Sequence, residues 1–413
     1  MKKSIIVASR IAAIAIAVLF IFSGFVKGID PMGTTYKLVD YFEAFGMPFF
    51  NPIALPLSIA LSATEMLIGL MLLFRVKNRV AAWGALIFMV GFTVLTFFSA
   101  LFNPVTDCGC FGDAIKLSNW ATFYKNLVFL PIAILAFYGS KSRQEMFGKC
   151  LLNWSATFVL AAIAVGISLH SLAYKPVIDF RPFKIGVNLK EAMAIPAGAP
   201  ADEYKTTLVY KKDGIEKSFD ESNYPWQDST WVFVDSKSVL VKKGYTPTIS
   251  NFSLTGENNE DITSMVTEGQ GYTFLLIAPK LETANLSRIN YIQNLAGLCL
   301  TNKHKFIIVS SSDWARIKEV ATTIELPVTI AQADETMLKT IVRSNPGLLL
   351  IHNGTIVGKW AWREMPHFAS AESNPITMAL RESESRSNTY LVTTLILSLI
   401  LLLIGGSWLA NRK

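Results

Sequence analysis

Six stretches of this chain are each close to the roughly 20 apolar residues that an α-helix needs to cross the hydrocarbon core of a bilayer. They run from about Ile5 to Phe25, Leu55 to Phe74, Val80 to Phe102, Trp120 to Tyr138, Trp154 to Ala173 and Leu391 to Leu409. A backbone in lipid must satisfy its own hydrogen bonds, which restricts such runs to helices. With 51% hydrophobic and only 17% charged residues, the composition agrees, and a polytopic membrane protein embedded in a lipid bilayer is expected. The first run continues through Phe22-Ser23-Gly24-Phe25-Val26-Lys27 without a small-x-small cleavage site, so it reads as an uncleaved span.

Charge sets the expected topology. Lys2, Lys3 and Arg10, then Arg75, Lys77 and Arg79, then Lys141, Arg143 and Lys149, then Arg412 and Lys413 fall on alternate loops or ends. By the positive-inside rule that side, with both termini, is cytoplasmic. The long segment from about Lys175 to Asn388 then lies outside, in the periplasm if the membrane is a bacterial inner (cytoplasmic) membrane. The net charge of +7 is largely this topological signal. No basic stripe interleaved with aromatics accompanies it, so nucleic acid is not an expected partner.

Chemistry is concentrated in Asp107-Cys108-Gly109-Cys110-Phe111-Gly112-Asp113, a polar loop between two apolar runs on the expected outer face. Cysteines at i and i+2 can close a tight disulfide, and Gly109 is the residue best able to relieve the backbone. A strained, exposed disulfide exchanges readily, which suits a redox pair. A structural staple is the alternative, although a ring closed over one residue removes little chain entropy. A metal site is the third reading, with no His or third Cys nearby: His170, His304, His352 and His367 are all distant in sequence. Asp107 and Asp113, if close in space, would raise a thiol pKa and count against a reactive thiolate. Glu65 lies well inside the second span, where a carboxylate is costly and marks a functional position or a buried interhelical hydrogen bond. In the outward loop from Ile29 to Pro52, Leu38, Tyr41, Phe42 and Phe45 recur at helical spacing, predicting a short amphipathic helix that covers the bundle on the cysteine face.

The first four spans, with Phe22 to Pro31, Glu65 and the Cys108-Gly109-Cys110-Phe111-Gly112 element, resemble the DoxX/MauE superfamily of redox-associated membrane proteins over the first third of the chain. The resemblance implies a four-helix membrane module linked to thiol or quinone electron transfer. In MauE-type systems such a module accompanies a thioredoxin-like partner. The fold is similar to that of vitamin K epoxide reductase bundles, which use a Cys-x-x-Cys beside the quinone and a second shuttling pair. This bundle has one pair, Cys108 and Cys110, so quinone is a candidate cofactor only. Cys150 falls in the expected cytoplasmic loop, on the wrong side to pair with either.

The outer segment opens on an irregular passage from Lys175 to Pro200. Short strands are predicted from Thr206 to Lys211 and Ile215 to Phe219 around an Asp213-Gly214 turn, then from Thr230 to Val234 and Val239 to Val241. Beyond Pro247 strands and helices alternate: Tyr272 to Ala278, Leu286 to Leu300, Lys305 to Ser310, Trp314 to Thr322, Val328 to Ile330 and Glu335 to Val342. A hairpin of Leu348 to His352 and Thr355 to Trp360 turns at Asn353-Gly354. This order, with Asn345-Pro346-Gly347 before a strand, resembles a TlpA-like thioredoxin fold over roughly Thr248 to Phe368. Active relatives carry Cys-x-x-Cys after the first long strand, where this chain has Pro279-Lys280-Leu281-Glu282-Thr283. Cys299, among Ile292, Leu295 and Leu298, reads as a buried small hydrophobe that could meet Cys108 or Cys110 only if the domain folds onto the bundle. Trp360 and Trp362 are expected on a sheet face or near the membrane, and His352 at the surface.

The expected architecture is an α-helical membrane bundle, a four-helix DoxX/MauE-like core plus two further spans, with a periplasmic α/β thioredoxin-like domain. Its divisions fall at 1–140 for the four-span domain and 150–175 for the fifth span. They continue at 176–247 for a β-rich lead-in, 248–370 for the thioredoxin-like domain and 389–410 for the last span. The expected function is a membrane thiol-redox component relaying electrons through Cys108 and Cys110, with Glu65 as a further site residue, to or from a periplasmic thioredoxin-like partner. The alternatives are a non-catalytic scaffold with a degenerate thioredoxin-like interaction domain, or a quinone reductase completed by a partner's cysteine pair.

Overall fold

The computed structural model describes residues 3–105, 107–242, 244–368, 374–381, 392–395 and 398. Among them are five helices long and apolar enough to cross a membrane. These are α1 (Lys3–Ile29), α3 (Ala54–Leu73), α4 (Asn78–Phe102), α5 (Asn119–Gly139) and α6 (Cys150–Ala173), and between α1 and α3 lies the shorter α2 (Pro31–Ala44). Each long helix matches a predicted apolar run to within a few residues, and α2 is the expected amphipathic element. The predicted run from Leu391 to Leu409 lies largely outside the described residues.

Side chains with nothing to hydrogen-bond in lipid leave shape as the main determinant of helix packing, and small residues set how near two backbones come. A Cβ on Gly24 of α1 would stand 2.5 Å from the Met66 amide nitrogen of α3, and one on Gly69 would stand 2.7 Å from that of Ile21. Glycine at both places therefore lets α1 and α3 touch along their backbones. Polar groups join the other helices: Asn126 of α5 donates to Thr96 Oγ1 of α4 at 3.1 Å, and Ser58 of α3 donates to the Pro31 carbonyl of α2 at 2.8 Å.

After α6 the chain passes through a short helix, α7 (Leu189–Met193), into a three-stranded antiparallel sheet of order β2-β1-β3. Its strands are β1 (Glu203–Lys212), β2 (Ile215–Asp220) and β3 (Val232–Lys242). The sequence predicts two runs where β3 is one strand. Pairing along β1, from Glu203 opposite Lys242 to Lys211 opposite Val232, holds the intervening polar residues Asp235 to Ser238 in the ladder.

The remaining described chain forms a six-stranded mixed sheet of order β4-β7-β6-β5-β8-β9. The elements are β4 (Thr255–Gly256), α8 (Thr263–Thr267), β5 (Tyr272–Ala278), α9 (Ile289–Thr301), β6 (Lys305–Ser310) and α10 (Trp314–Thr323). They continue with β7 (Thr329–Gln332), α11 (Glu335–Ile341), β8 (Gly347–His352), β9 (Thr355–Ala361) and α12 (Pro375–Arg381). Strands β5, β6 and β7 run parallel, while β8 and β9 are antiparallel additions. Successive strand residues face opposite sides, so Phe274, Leu276 and Leu350 pack with α9, and Leu275, Ile277 and Leu349 pack with α11. Phe183 and Leu189 of the irregular passage join the second core, so that passage is packed against the sheet. Cys299, Trp360 and Trp362 are buried in the first, and His352 stacks on Tyr272. The peptide bond Asn345-Pro346 is cis.

Replacing Gly69 by Val pushes two backbones apart and should destabilise the detergent-solubilised bundle by about 1–3 kcal/mol. Thermal unfolding followed by helix signal is the check, and an unchanged midpoint contradicts the close approach of α1 and α3.

Candidate functional site

The site is built around charges that the bundle cannot leave unpaired. Lys27, near the end of α1, and Glu65, in the middle of α3, form a buried ion pair at 2.7 Å, their side chains 6% and 1% exposed. A second Lys27 hydrogen bond reaches the other carboxylate oxygen at 2.9 Å. Ser23, one turn before Lys27, lies 2.7 Å from Glu65 Oε2 and 2.8 Å from the Cys110 carbonyl oxygen. A hydroxyl has one proton and both of these atoms are acceptors, so Ser23 stands between the buried carboxylate and the backbone of the cysteine loop and donates to either one.

The loop between α4 and α5 is shaped by glycine. Gly109 at φ +65° and Gly112 at φ +49° adopt left-handed backbone. A Cβ at Gly109 would also crowd Lys37 at 3.2 Å. The Asp107 carboxylate accepts from the Gly109 amide at 3.1 Å, closing the turn. Both cysteines are free, half-buried, and have their sulfurs 3.0 Å apart. The Phe111 ring packs on Phe22 and lies under the Lys125 ammonium of α5, 4.1 Å from the ring centroid.

Expected from sequence alone, Asp107 and Asp113 would disfavour a thiolate, and the structure corrects this. Asp107 pairs with Lys37 at 3.0 Å, and Asp113 stands near Lys116 at 3.6 Å and Arg343 at 3.7 Å, so both carboxylates are balanced by cations. The two sulfurs are in hydrogen-bond contact, and this, with Lys125 and Lys27 nearby, holds the Cys110 thiol below its ordinary range against the opposing effect of burial. Cys108 moves the other way, because its hydrogen bond to Cys110 and its burial both favour the protonated form. The surroundings thus favour ionisation at Cys110 over Cys108.

Glu65, Ser23, Lys27, Cys110 and Lys125 line one cavity of about 20 Å³, roughly room for a water molecule. Glu65 therefore belongs to the same site as the cysteines and reaches Cys110 through Ser23. Among the described residues no cluster of three or more metal-ligating side chains gathers. Cys150 is exposed at the start of α6, 3.2 Å from Lys77, which precedes α4, whereas the cysteine pair follows that helix. Cys299 is buried in the sheet core, its thiol pushed up to about 12 by desolvation.

The sheet domain reaches the cysteine end of the bundle. Arg343, between α11 and β8, grips the Asp30 carboxylate with two hydrogen bonds of 2.9 and 2.7 Å. Its guanidinium also lies over Tyr36 of α2, 5.4 Å from the centroid. Burial opposes ionisation of Asp30, but the Arg343 charge outweighs it and holds the carboxyl below its usual range. Sequence reasoning missed Lys27, Ser23, Lys125 and Arg343. For Lys27 a signal existed, because an ionisable residue ending an apolar run is a natural partner for a carboxylate in the next span.

Fold and site together define a multi-pass membrane protein with a close cysteine pair and a carboxyl-terminal α/β domain. Residues 5–139, about a third of the chain, match the family described as Methylamine utilisation protein MauE. Residues 204–243, covering the three-stranded sheet, match a domain of unknown function, DUF8463. No curated protein matches the chain.

Alkylation of Cys110 in a Cys150→Ser background should rise with a midpoint well below the ordinary thiol value, as the lowered Cys110 thiol requires. Lys125→Met removes a nearby cation and should move that midpoint upward. A single midpoint near 8.5, the ordinary thiol value, in both proteins contradicts the arrangement.

Proposed function

We propose that the protein is a thiol-redox component of the membrane whose working group is the Cys108-Cys110 pair. The observation that carries this reading is the close contact between the two sulfurs, 3.0 Å apart beside Lys125 and above the Ser23-Glu65-Lys27 link. The match of residues 5–139 supports a MauE-like membrane module and is consistent with the DoxX/MauE resemblance of the sequence. That family's description is of methylamine utilisation, and no substrate is carried over from it.

In the reaction, the Cys110 thiolate attacks one sulfur of a partner's disulfide. An S–S bond forms between Cys110 and that sulfur while the partner's own S–S bond breaks, and its second sulfur leaves as a thiolate. Cys108 then gives up its proton to that thiolate and attacks Cys110. The mixed disulfide breaks and the partner's first sulfur leaves as a thiolate that takes a proton from water. Two electrons have passed to the partner, and Cys108-Cys110 is oxidised; the reverse sequence carries electrons the other way. Glu65 acts as a positioning residue, holding Lys27 near the thiolate and, through Ser23, the loop carbonyl.

We read the carboxyl-terminal domain as thioredoxin-like, supported by the central order β6-β5-β8 with β8 and β9 antiparallel. It lacks Cys-x-x-Cys, so the electron partner is a separate thioredoxin-like protein. We place the cysteine loop and this domain on the periplasmic face of a bacterial inner membrane, with both termini cytoplasmic, from the distribution of Lys and Arg. The Arg343-Asp30 contact supports a common face for the two. Quinone, the candidate cofactor, does not fit the 20 Å³ cavity at Cys110 as it stands, because a ring of that kind needs on the order of 150 Å³.

Cys108→Ser should accumulate a mixed disulfide with a periplasmic thiol protein through Cys110, visible as a reducible adduct after acid quenching. Cys110→Ser should accumulate far less. Absence of adducts from both variants favours the scaffold reading.

A further inference from the structure

A second polar centre lies at the foot of α6, where both α1 and α6 end and the sheet domain meets them. A cavity of about 150 Å³ opens there, lined among others by Asp30, Ser171, Arg181, Arg343, Lys359 and Trp360. Arg181 spends Nε and Nη2 on the Asp179 carboxylate at 2.7 and 2.8 Å. Lys359 donates to the same carboxylate at 2.7 Å and to the Phe183 carbonyl at 2.9 Å. Two buried cations therefore share one carboxylate, while Asp30 is taken by Arg343.

Three polar atoms on the lining have no hydrogen-bond partner among the described residues: Arg181 Nη1, Ser171 Oγ and Trp360 Nε1. Their residues are 4%, 7% and 1% exposed. Arg Nη1 and Trp Nε1 can only donate, and a Ser hydroxyl can donate, so the lining is short of acceptors. Buried donors without acceptors cost free energy, and Arg181 and Lys359 sit together on the single Asp179 carboxylate. Burial, and then the neighbouring Arg181 charge, push the Lys359 ammonium down to about 7.

We propose that this junction is a binding site for a phosphate group, held by Arg181 and Lys359 with Ser171 and Trp360 donating to its oxygens. A tetrahedral oxyanion supplies negative charge beside Arg181 and Lys359 and several acceptors in a small volume. The site lies at the ends of two membrane-spanning helices, the depth at which lipid phosphates sit, so the phosphate can be a phospholipid headgroup or a free ion. A phosphate bound there contacts the passage after α6, the strand β9 and the helix ends at once, and so fastens the sheet domain to the bundle. The site is independent of the thiol chemistry.

The test uses the full-length protein in neutral detergent. One arm measures thermal unfolding with millimolar inorganic phosphate against sodium chloride of equal ionic strength. The other counts phosphatidylglycerol molecules retained per chain by native mass spectrometry. Arg181→Gln, and separately Ser171→Ala and Trp360→Phe, remove a donor each, and the latter two keep the ion pairs intact in case the first fails to fold. Stabilisation by phosphate that weakens roughly tenfold in Arg181→Gln, and several-fold in the milder variants, establishes a free-phosphate site. Retention of one lipid, lost in the same variants without a response to inorganic phosphate, establishes the headgroup. No response in either arm, or one unchanged in all three variants, overturns the proposal.

Discussion

A lysine and a glutamate inside a helical bundle must find each other, and the Lys27-Glu65 pair is the constraint on which the rest of the site depends. Removing either partner would leave an uncompensated buried charge at a cost of about 3–5 kcal/mol. The pair is made because α1 and α3 touch at Gly24 and Gly69, which brings Ser23 to the same carboxylate. Through Ser23 the ion pair extends to the Cys110 carbonyl. Packing of small residues inside the membrane is in this way transmitted to a loop at its edge. The loop is consequently held near two cations, Lys27 and Lys125, which favour ionisation of Cys110.

The sheet domain is tied into the same end of the molecule. Arg343 pairs with Asp30, three residues beyond Lys27, and stands 3.7 Å from Asp113 of the cysteine loop. The domain's contact with the bundle thus lies beside the cysteine pair. A domain placed there can hold or shield the loop.

Much of the architecture was legible in the sequence because two periodicities carry it. Runs of about 20 apolar residues can only be helices in lipid, and the alternation of strand and helix from Tyr272 to Ala361 is written in short β-branched runs and turn residues. The cysteine pair was legible as spacing. Its polarity was not, since Asp107 and Asp113 read as hostile neighbours until Lys37 and Arg343 are seen beside them. Arg343 lies 313 residues from Asp30, and nothing local in sequence joins them. Likewise the two predicted strands between Thr230 and Val241 read as separate because Asp235 to Ser238 interrupt the apolar pattern; only the partner strand β1 makes them one.

The central claim is that Cys108 and Cys110 cycle between dithiol and disulfide. The most direct measurement is their redox state in intact cells, by acid trapping followed by mass tagging of free thiols with Cys150 and Cys299 replaced. A cycling pair gives a mixture of reduced and oxidised forms whose ratio moves when periplasmic thiol oxidants or reductants are added. A pair fixed in one state under all conditions would contradict it.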